Sequence, residues 1–139
     1  MDMIFSKYLE FETAIDDVID ITGDTAVAVQ ASGLHSGIAV IFVPGATGAV
    51  TTLEFEPGLV HDIKITLSRM APKNIEYAHD QKWEDGNGHS HIRASMIGPS
   101  LTVPFAGGKL LLGTWQQIVF LEMDNRPRKR RIIVQILGE

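Results

Sequence analysis

The C-terminal segment from Leu101 onward alternates between apolar, β-branched runs and short turns, and this pattern constrains the fold most strongly. The first two runs, LTVPF and KLLLG, are joined by AGG, whose paired glycines suit the positive φ angles of a tight hairpin. The runs TWQQIVFLEM and RIIVQIL follow, separated by the polar turn DNRPRKR. Tight turns connect antiparallel neighbours, so the segment predicts an antiparallel meander.

Three earlier segments also have the composition of strands. The run from Phe5 to Phe11 is one, and Ile38 to Val43 is continuously apolar, which predicts a strand buried on both faces. The run AVTTLEFE is a third, in which Glu54 and Glu56 share one face that we expect to be solvated. The residues DDVIDI fit either a short strand or the start of a helix.

Two segments predict helices. Thr22 and Asp24 are candidate N-caps for a helix through DTAVAVQAS that ends before Gly33. A second helix, from about Gly58 to Met70, has apolar residues at helical spacing and is closed by Pro72. The sequence therefore predicts a single α+β domain over residues 1–139, mostly an antiparallel β-sandwich or meander with two helices.

Composition excludes several classes of protein. With no cysteine among 139 residues, the chain has no disulfide framework and no thiolate metal site or nucleophile. A formal charge of −5 disfavours nucleic acid as a partner, since binding to a polyanion requires positive charge. We find no apolar stretch of the ~18–20 residues that a membrane span needs, and no signal-peptide pattern. We therefore expect no membrane partner and a cytoplasmic enzyme or binding protein.

The segment from Tyr77 to Pro104 concentrates polar and ionisable side chains, as ligand-binding loops do. Because Asn87 and Gly88 disfavour a helix, we expect His89 and His91 on an extended backbone, where residues two apart project to one face. With His79 they form a candidate site for a divalent metal ion, zinc or magnesium. The alternative is that all three are ordinary surface histidines.

Two further segments contain candidate ligand-binding residues. Trp115 and Gln116 begin a predicted strand, where the indole can stack on a flat ligand and the amide can bind its edge. Alternatively, Trp115 packs in the core. The run from Arg126 to Arg131 favours a basic hairpin turn, although one or two of its arginines can hold a phosphate.

Several further motifs stand out in the chain. They are HIRASMIGPSLTVP, GKLLLGTWQQI and the C-terminal RRIIVQILGE, preceded by VPGATGAVTTLE and a helix containing Asp62. Together these motifs resemble those of the YjbQ family, whose members are described as secondary thiamine-phosphate synthases. The resemblance covers most of the chain from about Ser36. It implies a compact sheet-rich α+β sandwich, a homotrimer, sites near subunit boundaries and a metal bound by histidines of the central loop.

The resemblance also suggests roles for individual residues. The family's loop histidines fall on His79 and His91, and its acidic residue after the T-T strand falls on Glu54. Many members have a histidine directly after V-P, where this chain has Gly45, and His89 is an available replacement.

The activity that this resemblance implies joins an aminopyrimidine methyl diphosphate to a thiazole phosphate and releases pyrophosphate. Such an enzyme has to orient two small phosphorylated metabolites and neutralise the leaving group. A divalent ion with Arg93, which would share a face with His91 on an extended backbone, is suited to that task. The candidate catalytic residues are Glu54, Asp62, Asp80 and Arg93. The candidate substrate-binding residues are Asn87, Ser95, Trp115, Gln116 and Arg130.

Three alternatives remain open. One is a metal-dependent hydrolase of a small metabolite with Glu54 as general base. Another is a non-catalytic trimeric protein that binds an anionic metabolite. The third concerns Arg93 alone, which can instead be a structural partner of Glu84 or Asp85.

Overall fold

The chain folds into two antiparallel sheets that share one core, with two helices on the outer face of the smaller sheet. The computed structural model describes residues 3–83 and 85–139, and Trp83 through its backbone alone. The strands are β1 Met3–Glu12, β2 Val18–Asp20, β3 Gly37–Phe42, β4 Gly48–Leu53, β5 Ser100–Ala106, β6 Lys109–Leu110, β7 Gln117–Glu122 and β8 Lys129–Gly138. The helices are α1 Thr22–Ser32, α2 Pro57–Met70, α3 Ala78–Trp83 and α4 Gly88–Ile97.

The α+β sandwich is confirmed, but its strands do not follow the chain as a simple meander. The larger sheet has the order β1-β8-β3-β5-β6, and the smaller has β2-β7-β4. After β6 the chain crosses to the smaller sheet to form β7, and β8 then returns between β1 and β3. The prediction of consecutive neighbours therefore holds for the β5–β6 hairpin alone, where Gly107 and Gly108 adopt φ angles of 59° and 71°.

The core lies between the two sheets. It is filled by β-branched and aromatic side chains, among them Ile41, Val134, Ile118 and Phe120, all with no measurable exposure. Phe11 meets Phe120 edge to face, with ring centroids 5.3 Å apart. Alternate residues of each strand thus supply the apolar area whose burial stabilises the fold.

Strand β3 is buried on one face, so the prediction of burial on both is wrong. Ala39 and Ile41 point into the core, whereas Ile38 and Phe42 are 39% and 42% exposed. These exposed side chains lie on the outer face of the larger sheet, and among the described residues no helix covers that face. A continuous apolar run does not distinguish a strand covered on both sides from one whose second face is open.

Helix α1 forms where it was predicted, and Gly33 ends it in the left-handed conformation with φ 68°. The predicted N-caps are wrong, because Ile21 occupies the N-cap position and its side chain makes no capping bond. Instead, Oδ1 of Asp20 accepts a hydrogen bond of 2.9 Å from the backbone N–H of Thr22. The segment before the helix, left undecided by its sequence, forms β2.

Helices α2 and α4 pack on the outer face of the smaller sheet. Glu56 caps α2 by accepting from the N–H groups of Gly58 and Leu59, and the Gly58 bond is the main reason that the pKa of Glu56 is lowered. Leu67 is the buried residue of α2, and it shares a small cluster with Ala94 of α4 and Leu121 of β7. No helix in residues 3–83 and 85–139 has the length and apolar character needed to cross a membrane.

Candidate functional site

The corner between α3 and α4 brings together three side chains that can bind a metal ion. His79 and Asp80 lie on α3, and Asp85 follows that helix. Nδ1 of His79 lies 3.5 Å from Oδ1 of Asp80 and 3.5 Å from Oδ1 of Asp85. One ligand atom from each of the three residues lies within 4.8 Å of the other two. Nδ1 of His79 is buried and has no hydrogen-bond partner, so the nitrogen is available to bind a cation.

His91 extends this group from the facing helix. Its ring centroid lies 4.4 Å from that of His79, with the planes tilted by 39°. Helix α4 is held in place at its first residue, where the N–H of Gly88 donates a 2.8 Å hydrogen bond to Oδ1 of Asp80. The two helices approach closely here, because a Cβ at position 88 would lie 2.5 Å from Cβ of Tyr77.

His89 does not join the cluster, and the predicted arrangement of His89 and His91 on one face is wrong. The segment is helical rather than extended, so residues two apart diverge by about 200° around the helix axis. His89 is 3% exposed, and its Nε2 lies 3.4 Å from Oγ of Ser90. Burial, followed by the charge of Arg93, lowers the pKa of His89, which favours the neutral ring.

Arg93 also points away from His91, contrary to the prediction. It is 4% exposed, and its Nε donates a 3.0 Å hydrogen bond to the carbonyl of Ala71 after α2. Its Nη2 is buried without an acceptor. Asp85 is not within ion-pair distance of Arg93, so that half of the structural alternative is wrong, and Glu84 lies outside the described residues.

Asn87 and Ser95 lie beside the cluster without entering it. With its amide oriented toward Asp85, Asn87 donates to Oδ1 and Oδ2 at 2.9 and 3.1 Å. Ser95 lies one helical turn after His91 and donates a 2.7 Å bond to the carbonyl of that residue. Asn87 can therefore orient Asp85, which is one of the three candidate metal ligands. The Ser95 hydroxyl instead donates to the backbone of its own helix.

Arg130 occupies a buried ion network instead of a phosphate site. Its Nε donates 2.7 Å to Oε1 of Glu122, and its Nη2 binds Oε2 of Glu122 and the carbonyl and hydroxyl of Thr47. The neighbouring Asp124 is bound by Arg128. Burial, the largest single influence, would by itself raise the pKa of Asp124, but the hydrogen bonds that its carboxylate accepts, led by those from Asn125 and Arg128, together outweigh burial and lower that pKa.

The remaining candidates are exposed and are not bonded to the cluster within the described part of the chain. Glu54 follows β4, and Asp62 lies on α2. Trp115 is 74% exposed, so the alternative that it packs in the core is wrong. Strand β7 begins at Gln117, two residues after the predicted start at Trp115, and the Gln116 amide donates to Oγ1 of Thr52 at 3.1 Å.

Sequence reasoning missed Asp85 as a partner of His79, and it missed the buried Arg130–Glu122 pair. The signal for the first was a second carboxylate close to a histidine in the same loop. For the second, the signal was an acidic residue at the end of β7 and a basic residue near the start of β8, joined by a short polar turn, although the two strands belong to different sheets. Neither pattern identifies a contact between two residues unless the helices and strands that bring them together are already known.

Comparison with known proteins agrees with this fold. The family described as "UPF0047 protein YjbQ-like" matches residues 7–139. A UPF0047 protein of Methanocaldococcus jannaschii is 41% identical over 138 residues, covering 99% of this chain and 96% of that protein. The UPF0047 protein YugU of Bacillus subtilis is 34% identical over 135 residues, covering 95% and 98%.

Solved structures agree as well. A YbjQ-like protein of Sulfolobus solfataricus superposes with a TM-score of 0.88 at 31% identity, covering 99% of this chain and 100% of that one. A hypothetical protein of Aeropyrum pernix gives a TM-score of 0.84 at 34% identity, covering 96% and 99%. With matched sequence and architecture over nearly its full length, the chain belongs to the YjbQ (UPF0047) family.

Proposed function

We propose that His79, Asp80 and Asp85 form a divalent-metal centre and that the protein is a metal-dependent enzyme of the thiamine-phosphate synthase type. The observation that carries the proposal is the convergence of one imidazole nitrogen and two carboxylates at the α3–α4 corner. His91 lies against His79 and completes a polar wall beside the three ligands. The predicted set of three histidines is thereby revised to one histidine and two aspartates.

The spacing of these atoms fits a cation better than direct hydrogen bonds. Each carboxylate oxygen is 3.5 Å from Nδ1 of His79, beyond the 2.7–3.2 Å range of good N–H···O bonds. Zinc held at roughly 2.0–2.1 Å separates neighbouring ligands of a tetrahedron by about 3.3 Å. Neutral imidazole and carboxylate oxygen are both common zinc ligands, so the set is chemically suitable.

The bound ion would supply positive charge to neutralise a departing diphosphate. The protein's own residues would hold that charge in position: the Gly88 N–H fixes Asp80, and the Asn87 amide can fix Asp85. Arg93 and Arg130 are excluded from this role at the cluster, because one faces Ala71 and the other is bound to Glu122 and Thr47. Trp115 remains free to stack on a pyrimidine, because most of its surface is exposed.

A homotrimer is part of the proposal, and the outer face of the larger sheet supports self-association. Two apolar rows cross this face on either side of a polar row that contains Ser6 and Gln135, which share a 3.0 Å hydrogen bond. The apolar rows are Tyr8–Ile133–Phe42 and Ile4–Leu137–Ile38. An uncovered apolar face of this extent is typical of a subunit interface.

Two measurements test the proposal. Metal content of the purified protein should fall at least tenfold in Asp85→Asn, because a ligand is lost, while Asp62→Asn on exposed α2 retains the metal. Wild type given both substrates should release pyrophosphate, and Asp85→Asn should not. Equal metal content in the two variants would refute the site. If the protein instead converts one phosphorylated substrate with water alone, it is a hydrolase and not a synthase. If it converts neither, it is a non-catalytic binding protein.

A further inference from the structure

A cleft of about 400 Å³ lies between helix α2 and the smaller sheet, away from the α3–α4 cluster. Ile63 and Leu67 of α2 line one wall, and Val18, Leu121 and Met123 line the opposite wall. Protein interiors are close-packed and seldom hold voids larger than a water molecule. A cleft of this volume is in the range of small-molecule sites and has the apolar walls typical of them.

The negative side chains along the cleft are already engaged. Asp16 accepts from Nζ of Lys73 at 3.0 Å, and Asp17 accepts from the Ala14 N–H at 2.7 Å. Glu122 is bound by Arg130 and by the Thr13 hydroxyl. These carboxylates therefore offer no unpaired partner to a cation.

Arg93, which also lines the cleft, is in the opposite situation. Its guanidinium is buried, its Nε bond is to a neutral carbonyl, and no carboxylate in residues 3–83 and 85–139 pairs with it. Its Nη2 has no acceptor. A buried charge without a counter-ion is expensive, so an anion beside Arg93 would stabilise this part of the protein.

We infer that the cleft binds a small organic monoanion, a carboxylate with a short aliphatic or aromatic body. The apolar walls would contact the body, and the carboxylate would be directed toward the unpaired Arg93 guanidinium. Among the described residues that line the cleft, Arg93 is the buried cation without a carboxylate partner, whereas Lys64 is exposed to solvent. One buried unpaired cation favours one negative charge, and the three carboxylates nearby disfavour a phosphate or diphosphate. This site is independent of the proposed metal centre, because Arg93 and His91 project about 200° apart on α4.

The test uses hexanoate, its uncharged amide hexanamide, and pyrophosphate, each titrated into isotope-labelled protein as purified and followed by amide chemical shifts. Hexanoate should shift the amides of Ile63, Leu67 and Leu121 and should bind at least tenfold more tightly than hexanamide, the scale of a hydrogen bond to a charged group. Pyrophosphate should leave those amides unshifted. Equal binding of acid and amide, or no shifts in the cleft at millimolar hexanoate, would overturn the inference.

Two variants separate the charge from the cleft. Arg93→Gln should remove the preference for hexanoate over hexanamide. Because this residue is buried, its fold has to be checked by a melting curve. Ile63→Phe fills the cleft and should weaken hexanoate binding at least tenfold, whereas Val27→Phe on the exposed side of α1 should not. Unchanged hexanoate binding in a folded Ile63→Phe protein would contradict the site, and it would leave the metal proposal unaffected.

Discussion

The backbone N–H of Gly88 donates a 2.8 Å hydrogen bond to Oδ1 of Asp80, and this bond joins the first residue of α4 to α3. A side chain at position 88 cannot be accommodated without movement, since its Cβ would lie 2.5 Å from Cβ and 2.8 Å from Cγ of Tyr77. The position of Asp80 relative to His79 and Asp85 therefore depends on the absence of a side chain.

Gly88→Ala should lower the free energy of unfolding by roughly 1–3 kcal/mol, the usual cost of overpacking a buried position, and should reduce metal content. Gly23→Ala is the matched control, because it lies inside helix α1 and a methyl group added there would meet nothing within 4 Å. Denaturant unfolding and metal analysis of both variants provide the measurement. If Gly88→Ala loses stability but keeps its full metal content, metal binding does not depend on the close packing between α3 and α4.

Acid stability should depend on Asp124. Its pKa is lowered in the folded protein, so the folded state favours the carboxylate, and the resulting stabilisation is fully present above the unfolded value of about 3.8. That contribution is lost as the pH falls from about 3.8 through the lower folded pKa. Asp124→Asn should therefore flatten the decline in stability below about pH 4.

The measurement for Asp124 is a series of denaturant curves between neutral and acid pH. Asp62→Asn on the exposed face of α2 serves as the control and should keep the wild-type slope. A wild-type slope in Asp124→Asn would show that the bonds from Arg128 and Asn125 do not stabilise the charged form.

The buried pair of Arg130 and Glu122 should be structural. Arg130→Met leaves the Glu122 carboxylate buried without its main partner, which should destabilise the protein by roughly 3–5 kcal/mol. The double variant Arg130→Met/Glu122→Leu should recover much of that loss, because both charges are then removed. Urea unfolding of the two variants measures the effect, and a single variant as stable as wild type would return Arg130 to the candidate ligand-binding residues.

The outer face of the larger sheet should control assembly. Phe42→Ser removes the exposed aromatic side chain that lies beside Ile133 in one apolar row, and should shift the proposed trimer toward monomer. Val27→Ser, at an exposed apolar residue of α1, is the control. Light scattering at micromolar concentrations measures both variants. A monomeric wild-type protein would exclude the proposed interface. A Phe42→Ser protein that is still trimeric would place the interface on another surface.

Local signals in the sequence predict many of the helices, strands and turns. The Gly107–Gly108 turn, the Gly33 helix end and the periodic apolar residues of α2 each act within a few residues of the chain, so each was found. Helix α4 was not, because Asn87 and Gly88 resemble a loop and the segment has little apolar periodicity. Its helical form depends on the packing of Ala94 against the smaller sheet, a contact that no local pattern shows.

The candidate site was predicted only in part, because it too depends on contacts between residues that no local pattern shows. His79 and Asp80 were identified as residue types, but the neighbour that completes their group, Asp85, depends on how the chain turns between two short helices. The predicted positions of His89 and Arg93 are wrong for one reason, which is that the prediction assumed an extended backbone. Side chains two residues apart share a face of a strand but point to nearly opposite sides of a helix.

Helix α2 is anchored by one buried side chain, that of Leu67, although it is fourteen residues long. A helix held by so few apolar contacts opens at a lower free energy than the rest of the molecule, so its amide hydrogens should exchange with solvent well before those of β7 or β8. Any molecule that fills the space beneath it has to slow that exchange. The helix is therefore the part of this protein whose rate of deuterium uptake reports directly on occupancy.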